Sequence, residues 1–182
     1  MKSFDSRRRT LLIAAAAGLP LGRSVHAADP PPTLALIGFE LVDEQNDTSR
    51  AAENAGHLAL ALRLLTEQLQ QRGLYRMLDL APAQAEIERV RAEQAWVYQC
   101  NGCLVEIGAK LGTRLVAVGW VQKVSNLILN INLEIRDVET DKVVLTKSVD
   151  LRGNTDETWS RAVAFMVRDM VERRERNPRY GV

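Results

Sequence analysis

The fold is decided by residues 115–151, which read LVAVGWVQKVSN, LILNINLEIRD, VETDK and VVLTKSVDL. Successive side chains of a strand point to opposite faces, and all odd positions of the second segment from Leu127 to Ile135 are apolar, with Ile128 the one apolar residue at an even position. The even positions from Asn130 to Arg136 are polar. This alternation predicts an antiparallel strand with one buried face and one face in water.

The residues on either side of this segment extend it into a meander. Turn formers at 137–142 are followed by apolar odd positions that resume at Val143 and are interrupted by Lys147, which predicts a hairpin. Upstream, residues 116–118 are all apolar, as is typical of a strand covered on both faces. The buried centre of the sheet is therefore predicted at residues 115–119.

The rest of the chain alternates between the two periodicities. Residues 33–42 are apolar on both parities and predict a second central strand, and residues 75–80 predict a short one. Helical spacing predicts helices at 51–71, 82–95, 104–111 and from 155 onward, the last capped by Asn154 with Glu157 returning a bond. The order β-α-β-α-α-β-β-β-α predicts an α+β fold with a single mixed sheet of about five strands and helices mainly on one face.

The first 27 residues have the three parts of a signal peptide. A charged start ends in Arg7-Arg8-Arg9, an alanine-rich apolar run follows, and VHA at 25–27 supplies small residues at the two cleavage positions. The arginines after Ser6 also resemble a twin-arginine signal, although Thr10 stands where such signals usually have phenylalanine, so both export routes stay open. The apolar run is shorter than the roughly 20 residues of a membrane span.

Cleavage after Ala27 predicts a periplasmic chain with a proline-rich lead at 28–32, one globular domain at 33–176 and a tail at 177–182. The charged segment from 172 to 178 is expected to be solvated. It removes five basic residues and one acidic residue, so the net charge changes from +1 to about −3. A mature chain with this charge has no basic surface for nucleic acid.

The two cysteines are the sharpest chemical feature. Cys100 and Cys103 are the only cysteines of the chain, and in an oxidising compartment thiols so close in sequence are expected to form a disulfide. A structural bridge, a redox pair at a helix amino terminus and a metal site remain alternatives. A metal is disfavoured because His57, expected on the flank of its helix, is the one histidine left after cleavage.

A polar sheet face offers a second candidate site. Trp120, Gln122, Lys123, Asn130 and Asn132 predict a partner surface, because an aromatic ring beside amides is common where proteins meet. The alternative is a core tryptophan beside a solvated face. Paired carboxylates, phosphate loops and nucleophile elbows do not occur, so the sequence predicts no catalytic residue, no metal and no cofactor.

Three segments carry a family resemblance: CNGC at 100–103, GWVQKVSNLILNIN at 119–132 and RGNTDETW at 152–159. Together they resemble an uncharacterised family of exported bacterial proteins, a domain of unknown function, over about residues 34–173. Members are often encoded beside pyrroloquinoline-quinone (PQQ)-dependent methanol or alcohol dehydrogenases. LALIGF at 34–39, LVAVGW at 115–120 and the hairpin are also similar to the amino-terminal domain of TolB and to CsgG-like domains.

These observations predict an exported, non-catalytic binding or accessory protein. The resemblance implies a periplasmic protein partner and support for a PQQ-dependent alcohol dehydrogenase. A thiol-disulfide oxidoreductase that uses Cys100 and Cys103, and a carrier of a small ligand or a metal, are the alternatives.

Overall fold

The computed structural model describes residues 30–182, and the predicted order of elements is confirmed. The predicted signal peptide lies outside the described residues. The strands are β1 (Thr33–Asp43), β2 (Arg76–Met77), β3 (Leu115–Lys123), β4 (Ile128–Asp137) and β5 (Lys142–Arg152). The helices are α1 (Ala51–Gln71), α2 (Gln84–Glu93), α3 (Cys103–Lys110) and α4 (Asp156–Arg176).

One mixed sheet runs through the molecule in the order β2-β1-β3-β4-β5. β1 is parallel to β2 and β3, whereas β3, β4 and β5 form the predicted antiparallel meander. β3 occupies the middle of the sheet, and its residues 115–119 are buried as expected. The predicted α+β class and single open sheet are confirmed.

The two faces of the sheet are covered unequally. The long helices α1 and α4 pack on one face over a large apolar cluster that includes Leu65, Trp159 and Met166. The short helices α2 and α3 pack on the other face over a smaller cluster formed with β1 and β3 alone. Helices therefore lie mainly, but not entirely, on one face.

A bulge in β1 decides which of its residues face which helices. Leu36 and Phe39 both point towards the α1 face, and the register with β3 shifts between them. Gly38 lies in this bulge with φ +140°, a conformation that favours glycine. The Nη2 atom of Arg91 donates to Ile37 O at 2.8 Å there, in space that a Cβ at position 38 would restrict. As a result, Glu40 faces the α2–α3 side.

Local details differ from the sequence prediction at several points. Leu127 lies in the β3–β4 turn and is 71% exposed, because the strand alternation starts one residue later. The strand expected at 75–80 is only the two residues of β2. The cap of α4 is Thr155, which exchanges hydrogen bonds with Thr158, while Asn154 Oδ1 accepts from Trp159 Nε1 at 2.8 Å.

The carboxyl terminus is not the solvated tail that was expected. Gly181 is buried and its carbonyl accepts from Tyr75 Oη at 2.7 Å, while Tyr180 and Val182 pack against the large cluster. Arg174 donates to Tyr75 Oη at 2.7 Å. Burial raises the pKa of Tyr75 to about 12, so its hydroxyl stays protonated and able to donate to this carbonyl.

Candidate functional site

Half of one sheet face is left uncovered by the helices of residues 30–182. The apolar cluster beneath α2 and α3 takes its strand residues from β1 and β3, and none from β4 or β5. The even-numbered residues of β4 and β5 on this side therefore have none of these helices above them. Pairing aligns Trp120 with Asn132 and Ser148 in one row, and Gln122 with Asn130 and Asp150 in the next.

Hydrogen bonds within these rows hold the amide groups in place. Asn130 Nδ2 donates to Asp150 Oδ1 at 2.8 Å, and Ser148 Oγ donates to Asn130 Oδ1 at 2.9 Å. Gln122 Nε2 donates to Glu44 Oε1 at 2.6 Å, which links the face to the loop after β1. A partner would thus meet side chains that have already lost much of their rotamer freedom.

An aromatic stack borders the polar rows. The ring of Tyr98 lies parallel to that of Trp120, with centroids 4.6 Å apart and an interplanar angle of 9°. Glu40 positions this stack, because its carboxylate accepts from Val97 N at 2.8 Å and from Tyr98 N at 3.1 Å. Trp120 is half-buried, so it belongs both to the edge of the core and to the open face.

Exposed apolar residues continue the open face at the β3–β4 turn. Ile128 is 46% exposed and follows the parity of Asn130, and Leu127 beside it projects from the turn. We define the recognition patch as Trp120, Gln122, Leu127, Ile128 and Asn130. Apolar side chains next to fixed polar groups are the composition expected of a protein-binding surface.

The opposite end of this face is closed by ion pairs. Arg136 Nη1 lies 2.7 Å from Asp141 Oδ1, and Arg136 Nη2 lies 3.0 Å from Glu134 Oε1. The hydrogen bond with Asp141 raises the pKa of Arg136 and, together with Glu134, outweighs the partial burial of the guanidinium. These charges satisfy one another, so the open groups concentrate around the recognition patch.

Two of the predicted surface residues need correction. Lys123 is fully buried and points to the α1–α4 face, opposite to Trp120 and Gln122, because it occupies an odd position of β3. Its Nζ pairs with Asp43 Oδ2 at 2.9 Å. Asn132 lies on the predicted face, but only 9% of it is exposed, so it offers a partner little surface.

The chain belongs to the DUF3280 family. The family model, described as "Protein of unknown function (DUF2380)", matches residues 32–171. No curated protein gives a sequence match.

Solved structures are similar to this DUF3280 member in fold. Lipoprotein GNA1162 from Neisseria meningitidis is 12% identical with a TM-score of 0.50, over 81% of this chain and 99% of that one. TolB from Acinetobacter baumannii is 12% identical with a TM-score of 0.46, over 82% of this chain but 29% of TolB. The LpoB C-terminal domain from Salmonella enterica is 9% identical with a TM-score of 0.45, over 68% of this chain and 84% of that one.

The cysteines of this DUF3280 chain meet at the start of α3. Cys100 and Cys103 form a disulfide with Cα atoms 5.7 Å apart, and Gly102 between them adopts φ +88°. Both cysteines are half-buried. The bridge follows directly after the turn that carries Tyr98, so it restrains the loop on which the aromatic stack depends.

His57 lies elsewhere than on the predicted helix flank. It is buried between α1 and α4, where its ring stacks on Trp159 with centroids 5.2 Å apart. Its Nε2 atom lies 3.1 Å from Asp156 Oδ1. His57 therefore joins two helices on the face remote from the recognition patch.

Sequence reasoning missed the residues that complete the aromatic stack. Tyr98 and Trp96 follow α2 in a short AWVYQ run whose aromatic content was the available signal. Within residues 30–182, no three His, Cys, Asp or Glu side chains are grouped so as to hold a metal ion. Over the same residues, no helix has the length and apolar content needed to cross a bilayer.

Proposed function

We propose that this chain is an exported, non-catalytic binding protein that recognises a protein partner through the recognition patch. The observation that carries the proposal is the uncovered half-face, where exposed Leu127 and Ile128 adjoin a fixed row of amides. Burial of these apolar groups would supply affinity, and the amides would set orientation.

The partner we propose is a periplasmic PQQ-dependent alcohol dehydrogenase system. This part rests on the resemblance of the CNGC, GWVQKVSNLILNIN and RGNTDETW segments to proteins encoded beside such dehydrogenases. The disulfide serves a structural role in the proposal, since it restrains the loop that supports Tyr98.

A pair of matched substitutions tests the binding surface. Gln122→Arg places a large cation on the recognition patch, whereas Gln70→Arg makes the same change on the exposed side of α1. A photo-reactive amino acid at position 122, introduced in the native bacterium, should cross-link one reproducible protein, and the same group at 70 should not. Gln122→Arg should then abolish capture of that protein, and Gln70→Arg should leave it unchanged.

The dehydrogenase assignment is tested separately by deleting the gene and measuring growth and dehydrogenase activity on an alcohol. Wild type and Gln70→Arg should restore both, and Gln122→Arg should not. Normal activity in the deletion strain would refute the dehydrogenase role. Equal cross-linking from positions 70 and 122 would refute the recognition patch itself.

A hollow of about 410 Å³ favours a carrier of a small ligand as the second candidate. It lies between α1 and the part of β1 that extends beyond the short β2, where Leu41, Leu58 and Trp96 supply apolar walls. Asn54, which is buried, lines it with an Oδ1 atom that has no hydrogen-bond partner within residues 30–182. Native mass spectrometry of protein purified from its own host should show a bound ligand that Trp96→Ala loses, and a ligand-free spectrum would refute this candidate.

A further inference from the structure

The outer edge of the sheet carries a groove that the recognition patch does not use. Among residues 30–182, no strand pairs with the far side of β5, and β5 and α4 enclose a hollow of about 630 Å³ along it. Residues 148–152 form its floor, and Phe165 lies opposite them on α4. We call this the edge groove.

The backbone of the edge groove is set to pair with another strand. Gly153 N donates to Leu127 O at 3.2 Å, and Leu129 is opposite Leu151 in the register. In an antiparallel pair such hydrogen-bonded positions alternate with positions whose N–H and C=O point outward. The outward groups of β5 therefore belong to Ser148, Asp150 and Arg152, and those groups face an empty strand position.

Helix α4 overhangs that empty position with a second stripe of side chains. Arg161, Ala164, Phe165 and Arg168 follow one another at helical spacing beside the stripe that faces the core. Phe165 is 48% exposed, and the guanidinium of Arg168 lies 5.2 Å from the centroid of its ring. An added strand would place alternate side chains against Phe165 and Val149.

The charges around the groove favour an acidic occupant. Arg161 and Arg168 of α4 line it, and Asp150 is the only acidic residue among its lining residues in the described part of the chain. The Asp150 carboxylate accepts a hydrogen bond from Asn130 on the other face, and Arg152 has the same parity in β5. Arg168 forms no ion pair within residues 30–182, and Arg161 forms only an exposed one with Glu157 at 3.2 Å.

Charge also argues against a second copy of the chain as the occupant of the groove. Pairing β5 with β5 across a twofold axis would bring the α4 arginines of two copies together, which is unfavourable. Residues 1–27 carry five basic and one acidic side chain and complement the groove no better. An unpaired, inward-pointing lysine on an edge strand opposes the addition of another strand. Lys147 does not have this effect, because it is paired with Asp169 of α4.

We infer that the edge groove binds an extended segment of a partner protein, which adds as a sixth strand beside β5 and whose α4-facing positions carry an apolar residue flanked by acidic residues. The main-chain bonds would come from Ser148, Asp150 and Arg152, and the arginines would select acidic sequences. This site is independent of the recognition patch, because it uses the backbone edge and the α4 side of the sheet.

The test uses the full chain, labelled with ¹⁵N, and two short synthetic peptides that place either Glu-Val-Glu or Lys-Val-Lys on one face of a strand, with threonine at the positions between. The glutamate peptide should shift and protect the amides of Ser148 and Asp150. Its affinity should exceed that of the lysine peptide by about tenfold or more. Equal binding of both peptides, binding elsewhere, or no binding would overturn the inference.

Substitutions assign the contacts. Ser148→Pro removes an outward N–H and leaves the main-chain bonds to β4 in place, with only the Oγ bond to Asn130 lost as well, so the chain should fold and lose the peptide. Arg161→Glu should weaken binding several-fold, whereas Arg63→Glu, which breaks an equivalent ion pair with Glu67 on α1, should not.

If Ser148→Pro fails to fold, Phe165→Ala decides in its place, because its half-exposed ring lines the groove and its loss should leave the fold intact. Gln122→Arg should leave peptide binding intact, which separates this result from the proposed function. Sedimentation completes the test: a dimer that Phe165→Ala dissociates would show that a second copy, not an acidic segment, fills the groove.

Discussion

The two faces of the sheet are formed by the same strands but are covered by helices to different extents. The face beneath α1 and α4 is sealed, and its buried charge is paired, as Lys123 is with Asp43 at 2.9 Å. The other face is divided, with α2 and α3 covering β1 and β3 while the polar rows of β4 and β5 stay open. Stability is therefore expected to depend on the first face, and recognition on the open half of the second.

The largest effect should come from the sealed face. Trp159→Ala removes a fully buried ring that stacks on His57 and donates to Asn154, so the free energy of unfolding should fall by about 4 kcal/mol. Phe165→Ala on the same helix removes an exposed ring and should cost less than about 1 kcal/mol. Urea denaturation measures both, and equal losses would contradict the contrast.

The buried ion pair gives the next effect. Lys123→Ala leaves the Asp43 carboxylate without its partner and should lower the free energy of unfolding by about 3 kcal/mol. Lys123→Met combined with Asp43→Leu should recover much of this loss, because neither charge is then left buried. A double variant as unstable as Lys123→Ala would show that the loss of stability does not come from leaving the Asp43 carboxylate unpaired.

The disulfide should have a smaller effect because it closes a very short loop. Replacing Cys100 and Cys103 by serine should lower the free energy of unfolding by about 2 kcal/mol while leaving the fold intact. Thermal unfolding with and without a reductant measures this in the unmodified chain. Complementation by the double variant would refute a redox function for the pair.

Acid should reveal a smaller contribution from the turn between β4 and β5. The backbone hydrogen bond from Thr140, together with bonds from the Thr140 hydroxyl and Arg114, holds the pKa of Asp137 below its ordinary 3.8. Because the pKa of Asp137 is lowered in the folded state, the carboxylate adds stability that is fully present above pH 3.8. This stability is lost as the pH falls through the folded-state pKa.

Asp137→Asn should therefore flatten the acid limb of the stability–pH curve, measured by urea denaturation at successive pH values. Thr140→Val keeps the backbone bond and removes the hydroxyl bond, so its curve should lie between those of Asp137→Asn and the wild type. A steeper acid limb for Asp137→Asn would reverse the sign of this argument.

The smallest effect on stability is expected at the open half-face. Gln122→Arg changes an exposed side chain and should alter the free energy of unfolding by less than about 0.5 kcal/mol. The same variant is expected to lose the protein partner. A large loss of stability would show that the recognition patch is part of the core.

Local sequence signals predicted the helices and strands well where hydrophobic periodicity alone determined them. The 3.6-residue spacing of Ala61, Leu65 and Leu69 placed α1 correctly, and strand alternation from Leu129 to Ile135 identified the buried face of β4. The error at Leu127 arose because alternation cannot mark where a strand stops and a turn begins.

Pairings between distant segments were beyond such signals. Lys123 appeared exposed because its charge favours water, but Asp43, eighty positions away, makes burial possible. Tyr98 and Trp120 meet only because Glu40 holds the intervening turn, and Glu40 reaches that side only through the bulge at Gly38.

By itself, the sequence determined the order of the elements, the antiparallel meander and the proximity of the two cysteines, because hydrophobic period and short spacing act within a few residues. The tertiary structure alone decided which half of the sheet stays uncovered, which lysine is buried and where the carboxyl terminus docks. These outcomes depend on how many helices fit over each face and which charges meet there, and such contacts join residues that are far apart in the chain.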